Sequence, residues 1–421
     1  MRDNPLIIIL VIIVFVLLND VYAFRGVAHL TQSFDHRQKL IIYGSFWLIS
    51  LITVLWTIWI AISFNKYPNE TSFRHVTVFF GFFILFYIPK FLFNAIQLVQ
   101  DIGHLLAWLV SVVFPSGGAV SGNAEKISRS QFLIQIGLVL ASIPFISIFY
   151  GIFFGKYNYK VTRIKLSFPN LPENFDGMRF IQFSDLHVGS FAPFPERLSP
   201  AIDIMNNLEA DYVFFTGDLV NNIADEATEF IPMLQQIRPR KGKYAILGNH
   251  DYGEYYNWPS KEAHRENMEK LFRYEKEAGF TLLRNEHVVL REGDQEIALI
   301  GVENWGLPPF PQYGNLEKAW KPVKDKPFKI LLSHDPSHWD AKVRPETQID
   351  LTLSGHTHGM QFAIRIPGWR WSPVKFRYPR WAGLYTEGRQ KLYVNIGLGF
   401  IAFPGRVGTP PEITLYELHR G

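Results

Sequence analysis

The stretch "SGHTHG" at 354–359 directly follows "IDLTL" at 349–353. A short, mostly apolar run that ends in a glycine-bearing polar turn reads as a buried strand. His356 and His358 then stand just past its carboxyl end, two residues apart and flanked by small side chains. Taken alone, such a pair is either a polar turn or two ligands for a metal ion. The rest of the chain decides between these, because the same kind of ending recurs.

Four other strand candidates close on residues of similar chemistry. "FSDLHVG" (183–189) offers Asp185 and His187, and "FTGDLVNN" (215–222) offers Asp218. "LGNHDYG" (247–253) offers Asn249, His250 and Asp251, and "LLSHDPSH" (331–338) offers His334. The predicted strands cover 178–185, 211–218, 243–249, 296–303, 328–334, 351–356, 391–397 and 412–418, with the clearest helix at 260–279. Strands alternating with amphipathic stretches indicate an α/β layered domain, whose ligand crevice lies beyond the carboxyl ends of the strands. On an extended chain, side chains two apart point the same way. Asp185 with His187, and His356 with His358, are therefore each expected to present two ligands to one cavity. Gly217, Gly248 and Gly355 are expected to let the backbone turn sharply beside them. Carboxylate, imidazole and amide oxygen together suit Mn²⁺, Fe or Zn²⁺. The chain has no cysteine, which excludes thiolate ligands, disulfides and a cysteine nucleophile.

The ordered set D-x-H, GD, GNH[DE], H and GHxH resembles the signature of the calcineurin-like metallophosphoesterases. The likeness spans 156–421, and the tail "NIGLGFIAFPGRVGTPPEITLYEL" (395–418) resembles the membrane-associated bacterial branch. It implies a four-layer α/β/β/α sandwich holding two divalent metal ions. By motif, Asp185, His187 and His358 would hold the first ion; Asn249, His334 and His356 would hold the second; and Asp218 would bridge them. His250 matches the histidine that assists the leaving group. Met360 departs from the pattern, standing where many relatives have a second glycine. The chemistry expected is in-line attack on phosphorus by a metal-bridging hydroxide. Asn249 and Arg406 would bind substrate and neutralise its charge, and Asp251 would orient the His250 ring. Asp335, His338 and Glu303 belong to no ligand block and read as supporting or solvent-facing.

Upstream the texture changes. Four apolar stretches, 5–24, 40–64, 76–99 and 132–155, each reach the roughly 20 residues needed to cross a bilayer. The stretch 104–114 is too short to span and reads as a continuation of the third helix or an interfacial segment. Residues 1–155 hold only six of the 38 acidic and nine of the 42 basic residues. They read as a transmembrane helical domain, and 156–421 as the phosphoesterase domain. "VYA" before Phe24, with Arg2 ahead of it, also resembles a signal-peptide cleavage site, but the later spans keep the chain in the membrane. "NET" at 69–71 matches a glycosylation sequon of a kind common by chance.

Arg2, Lys66, Arg74, Lys156, Lys160, Arg163 and Lys165 fall on one side of four spans. Arg25, Arg37, Lys39, Lys126 and Arg129 fall on the other, and seven against five favours a catalytic domain on the cytoplasmic side of a bacterial inner membrane; three or five spans would reverse the assignment. Charge within the spans is read as essentially Lys90 alone, which argues against transport. His75 and His104 read as interfacial.

The segment 365–385 interleaves Trp369, Trp371 and Trp381 with Arg365, Arg370, Lys375, Arg377 and Arg380. That combination suits a lipid-headgroup interface, with base stacking on single-stranded nucleic acid and a plain packed hairpin as the alternatives. The net charge of +4 gives no sign of a stable nucleic-acid partner. The expected function is hydrolysis of a phosphodiester or pyrophosphate bond in a phospholipid or nucleotide. The alternative is a non-catalytic membrane receptor or scaffold on the same fold.

Overall fold

A computed structural model of the chain describes residues 5–66, 70–113 and 129–421; Arg2, Asn69 and Lys126 lie outside the described residues. The chain divides into two compact units, 1–150 and 151–421.

The first unit holds four helices: α1 (Pro5–Leu30), α2 (His36–Lys66), α3 (Glu70–Val113) and α4 (Arg129–Phe153), the last of which runs into the second unit. All four are long and apolar enough to cross a membrane. Helix α2 begins four residues before the apolar stretch, because Asp35 and Gln38 exchange side-chain-to-backbone hydrogen bonds of 2.8 and 3.2 Å that cap its first turn. Helix α3 continues past Pro89 to Val113, so 104–113 extends the third helix.

Lys90 is not the lone charge of the spans. Asp20 is fully buried and accepts hydrogen bonds from Lys90 Nζ at 2.7 Å and Tyr87 Oη at 2.9 Å. Asn94 adds a bond of 2.9 Å to Asn19. An unpaired polar group away from water costs several kcal/mol, so this cluster ties α1 to α3.

The second unit is built on strand alternation. One sheet runs in the order β1 (Lys160–Phe168), β14 (Glu412–Arg420), β2 (Arg179–Phe183), β3 (Tyr212–Phe215), β4 (Gly242–Ala245), β5 (Thr281–Leu282). The other runs β12 (Gly383–Glu387), β13 (Gln390–Val394), β9 (Leu351–Ser354), β8 (Lys329–Leu332), β7 (Gln295–Gly301), β6 (Glu286–Glu292). Phe180, Phe214 and Tyr416 from the first sheet meet Leu299, Leu332, Leu353 and Tyr393 from the second in one buried layer. The alternate side chains Ile181, Phe183, Val213 and Phe215 pack outward on Ala201, Ile202 and Leu271 of covering helices. On the far side, Ala298, Ile300 and Leu392 pack on Trp339 and Val343. Period-two alternation thus yields the four-layer α/β/β/α sandwich.

The predicted helix at 260–279 forms as Lys261–Glu277, capped by Ser260 Oγ on the Ala263 amide at 3.1 Å. Strands β1, β5, β6 and β12 lie outside the strands expected from sequence. They lie at sheet edges, where β5 is only two residues long and charged side chains interrupt the apolar alternation of the other three. A separate two-stranded ribbon, β10 (Ile364–Ile366) and β11 (Trp369–Trp371), follows the "SGHTHG" turn.

Candidate metal centre

Strands β2, β3, β4, β8 and β9 end at Phe183, Phe215, Ala245, Leu332 and Ser354, two to four residues before the nearest candidate ligand. The candidate ligands therefore stand on turns and not on extended strands. Asp185, His187, Asp218, His356 and His358 all have left-handed backbone, with φ between 46° and 72°. Each such non-glycine residue costs about 1–3 kcal/mol, a strain that the packing around the site must offset. One consequence is that the two D-x-H-like pairs behave differently. Asp185 and His187 converge on one cluster with His358, whereas His356 joins Asp218 and His334 in another. Within each cluster the ligand atoms lie within 4.8 Å of one another.

The neighbouring glycines act mainly through closeness. A Cβ on Gly355 would sit 1.9 Å from Ser184 Oγ and 2.4 Å from Asp185 Oδ2. On Gly248 it would sit 2.2 Å from Asp218 Oδ1. Only Gly217 of the three has positive φ, at 95°.

Backbone carbonyls set the tautomers. A carbonyl only accepts, so the nitrogen facing it carries the proton. His187 Nδ1 donates to Val220 O at 3.2 Å, His334 Nδ1 to Thr216 O at 2.7 Å, and His250 Nδ1 to Asn221 O at 2.7 Å. The Nε2 atoms of His187 and His334 are thereby bare. They lie 3.6 and 3.1 Å from the same carboxylate oxygen, Asp218 Oδ2. His334 Nε2 is buried without a hydrogen-bond partner. Acceptors facing acceptors are satisfied by a cation, and the nitrogen–oxygen donor set fits a divalent metal at each cluster. Electrostatics agree. Burial alone would raise the Asp218 carboxyl, yet the imidazoles of His334, His250 and His187 hold it well below the usual carboxylate range. Burial alone would lower His334, yet the Asp218 carboxylate pushes it up to about 10. The site demands positive charge at this point, as a proton or as a metal ion.

On the second cluster, Asn249 Nδ2 donates to Tyr255 Oη at 2.9 Å, which turns Asn249 Oδ1 toward His356 Nδ1 at 2.8 Å. The far nitrogen of His356, Nε2, lies 2.7 Å from Tyr378 Oη, whose proton goes to Asp335 Oδ2 at 3.2 Å. Asp335 is fully buried and Tyr378 nearly so. Asp335 therefore supports the candidate ligand His356 and does not face solvent. Tyr378 went unread, because nothing in its sequence neighbourhood distinguishes it from the surrounding aromatics. His338 is buried against Ser333 Oγ at 2.8 Å, and Glu303 binds Asn285 and Arg284 away from the ligands.

Two expected roles change. Asp251 does not touch the His250 ring; its carboxylate accepts the amides of Gly248, Asp218 and Leu219 at 2.8–2.9 Å. It pins the two ligand loops together, while the Asn221 carbonyl orients His250. Arg406, expected at the substrate, is buried and committed to backbone carbonyls. It is 2% exposed, and its guanidinium donates to the carbonyls of Gly399, Ile396 and Thr409. Its Nη2 lies 3.4 Å from His358 Nδ1, so it backs a ligand and braces the tail loop.

Comparison with known proteins gives this arrangement a family. Residues 178–360 match the family described as calcineurin-like phosphoesterase, and residues 1–156 match the transmembrane domain of a probable calcineurin-like phosphoesterase. The uncharacterized metallophosphoesterase YkuE of Bacillus subtilis is 31% identical over 303 residues, covering 70% of this chain and 98% of its own. The transmembrane protein with metallophosphoesterase domain of Danio rerio is 28% identical, covering 70% of this chain and 65% of its own length. The phosphodiesterase YaeI of Escherichia coli is 26% identical, covering 62% and 88%. On this likeness the chain belongs to the calcineurin-like metallophosphoesterases, a family that binds two divalent metals, and is a metal-dependent phosphoesterase.

Proposed function

We propose that the chain is a membrane-anchored phosphoesterase that hydrolyses a phosphodiester or pyrophosphate bond in a lipid-linked or nucleotide substrate. The observation that carries this reading is the convergence of bare nitrogens from His187 of one three-residue cluster and His334 of the other on one oxygen of Asp218. Asp185, His187 and His358 would hold one ion and Asn249, His334 and His356 the other, with Asp218 shared; Mn²⁺, Fe or Zn²⁺ suits these donors. When bound, such ions supply Lewis-acid charge and lower the pKa of water. The name of YaeI supports a diester substrate. The four apolar helices support anchoring, and the flanking lysines and arginines favour a cytoplasmic catalytic domain.

The chain's own residues supply the remainder. Asn249 is held by Tyr255, which fixes where its amide meets an incoming phosphate. His250 Nδ1 is committed to Asn221, so the proton it exchanges with a leaving oxygen sits on Nε2. Burial lowers the His250 pKa, which makes its protonated form a stronger acid.

The test is metal analysis of the purified chain together with hydrolysis of bis-p-nitrophenyl phosphate after chelation and Mn²⁺ return. His250→Ala is expected to keep both metals and to lose about 10²–10⁴-fold in turnover on an alkyl ester, with a smaller loss on p-nitrophenyl. Loss of metal in that variant would make His250 structural, and absence of metal-dependent hydrolysis would defeat the enzyme reading.

A further inference from the structure

The ribbon β10–β11 leaves most of its apolar residues exposed. Its register pairs Ile364 with Trp371, Arg365 with Arg370, and Ile366 with Trp369. Alternation therefore puts the isoleucines and tryptophans on one face and the two arginines on the other. In water the apolar face of such a ribbon is expected to pack on the protein and the charged face to be solvated. Here the apolar face is left largely open, only Trp371 being half-buried, while Arg370, itself exposed, reaches back to the protein. Its Nη2 donates to Ala382 O at 2.6 Å, and its guanidinium lies 5.3 Å from the ring of buried Trp381. Ile364, Ile366 and Trp369 instead stand 47%, 57% and 50% exposed, and Phe376 just beyond them is 79% exposed. A contiguous exposed apolar patch of this kind marks an interaction surface.

We propose that this ribbon is a wedge that inserts into the lipid leaflet and brings the metal cleft to phosphate esters carried by lipids. Three features single out a bilayer as the occupant. The chain carries four helices able to cross a membrane, so a bilayer is its constant neighbour. Only six residues, 154–159, separate α4 from β1, a length that reaches at most about 25 Å. Exposed Arg365, Lys375 and Arg377 border the apolar tip, the complement of anionic headgroups beneath which tryptophan and isoleucine settle. The wedge is also joined to the metal loop. Ser372 Oγ donates to Gly359 O at 2.8 Å, Thr357 Oγ1 to Trp381 O at 2.7 Å, and Tyr378 Oη meets His356. Insertion at 364–369 thus sets the depth of the ligand histidines at the surface where lipid phosphates lie. The inference rests on the phosphoesterase reading for its consequence, but not for its test.

The chain lacks cysteine, so Ile366→Cys can be labelled at a single position with an environment-sensitive fluorophore. The full chain is placed in nanodiscs of anionic lipid, with Phe376→Cys as a second reporter and exposed Glu262→Cys as a control. Both ribbon labels are expected to lose at least about twofold in emission when doxyl lipids are included, consistent with burial of about 5–10 Å. The control is expected to respond only to aqueous iodide. Ribbon labels as open to iodide as the control, without doxyl quenching, would overturn the proposal. Shielding from iodide without doxyl quenching would also overturn it, by putting a second protein chain on the ribbon. Hydrolysis of bis-p-nitrophenyl phosphate by the unlabelled chain reads the enzyme independently, so failure of one reading leaves the other intact.

Discussion

Asp20 and Asp218 are both fully buried carboxylates, and they are completed in opposite ways. Asp20 lies among helices and takes a lysine ammonium and a tyrosine hydroxyl, so each oxygen has its donor from the protein. Asp218 gives Oδ1 to the His250 amide, while its Oδ2 faces imidazole nitrogens whose protons are turned away toward carbonyls. The first arrangement is closed, and the second is a surplus of lone pairs. A closed pair in an apolar setting holds helices together, whereas a surplus of acceptors is a place for a cation. The contrast separates a structural buried charge from a chemical one without reference to any motif.

The largest expected effect breaks the closed pair. Lys90→Ala leaves Asp20 buried without its cation and is expected to cost about 3–5 kcal/mol, read as a lowered unfolding midpoint in detergent. Replacing both residues with apolar ones, Asp20→Leu with Lys90→Met, is expected to recover most of that loss. A double variant no more stable than Lys90→Ala would show that the pair is not closed.

His338 sharpens the comparison, being a buried imidazole beside the cleft that is not a ligand. Burial drives its pKa down from 6.5 to about 4, so the fold holds it neutral. Its contribution is full above pH 6.5 and is lost as pH falls toward 4, because the unfolded chain takes up the proton first. The stability gap between the parent and His338→Gln is expected to narrow by about 3 kcal/mol from pH 7 to pH 4. A gap independent of pH would mean that the ring titrates in the fold as it does in the unfolded chain.

A smaller effect tests the open side. Tyr378→Phe removes the hydroxyl between His356 and Asp335 and is expected to weaken the second ion about 10–100-fold in a chelator competition. Asp335→Asn is expected to act in the same direction, and unchanged metal affinity in both would reduce the contact to packing. The smallest effect concerns Met360, which is left-handed at φ 55° and 59% exposed. Met360→Gly is expected to raise stability by about 1 kcal/mol, since glycine carries no Cβ penalty there.

Much of the site was legible because ligand chemistry is local. "SDLH", "GD", "GNH", "SH" and "GHTH" name their donors wherever the chain goes. How the donors are held was not legible. Reading Asp185 and His187, or His356 and His358, as extended pairs assumed strands that run on, and the strands stop short. Asp251 stands next to His250 in sequence, but its carboxylate is taken by the amides of Gly248 and of Asp218 and Leu219, the last two about 30 residues earlier. Arg406 is expected at the substrate by its place in the tail, yet the carbonyls of Gly399, Ile396 and Thr409 take its guanidinium once the fold closes that turn.

The residues themselves, then, determined the donor set, the four apolar spans and the layered α/β core. Each of these depends on side-chain type and on a period of two or 3.6 along the chain. The tertiary structure decided which imidazole nitrogen is bare, that Tyr378 and Asp335 stand behind His356, that Lys90 has Asp20, and that the 364–371 ribbon leaves most of its apolar residues exposed. Those outcomes depend on partners 70, 43 or 22 positions away. Such pairings arise from packing, and no local period encodes them.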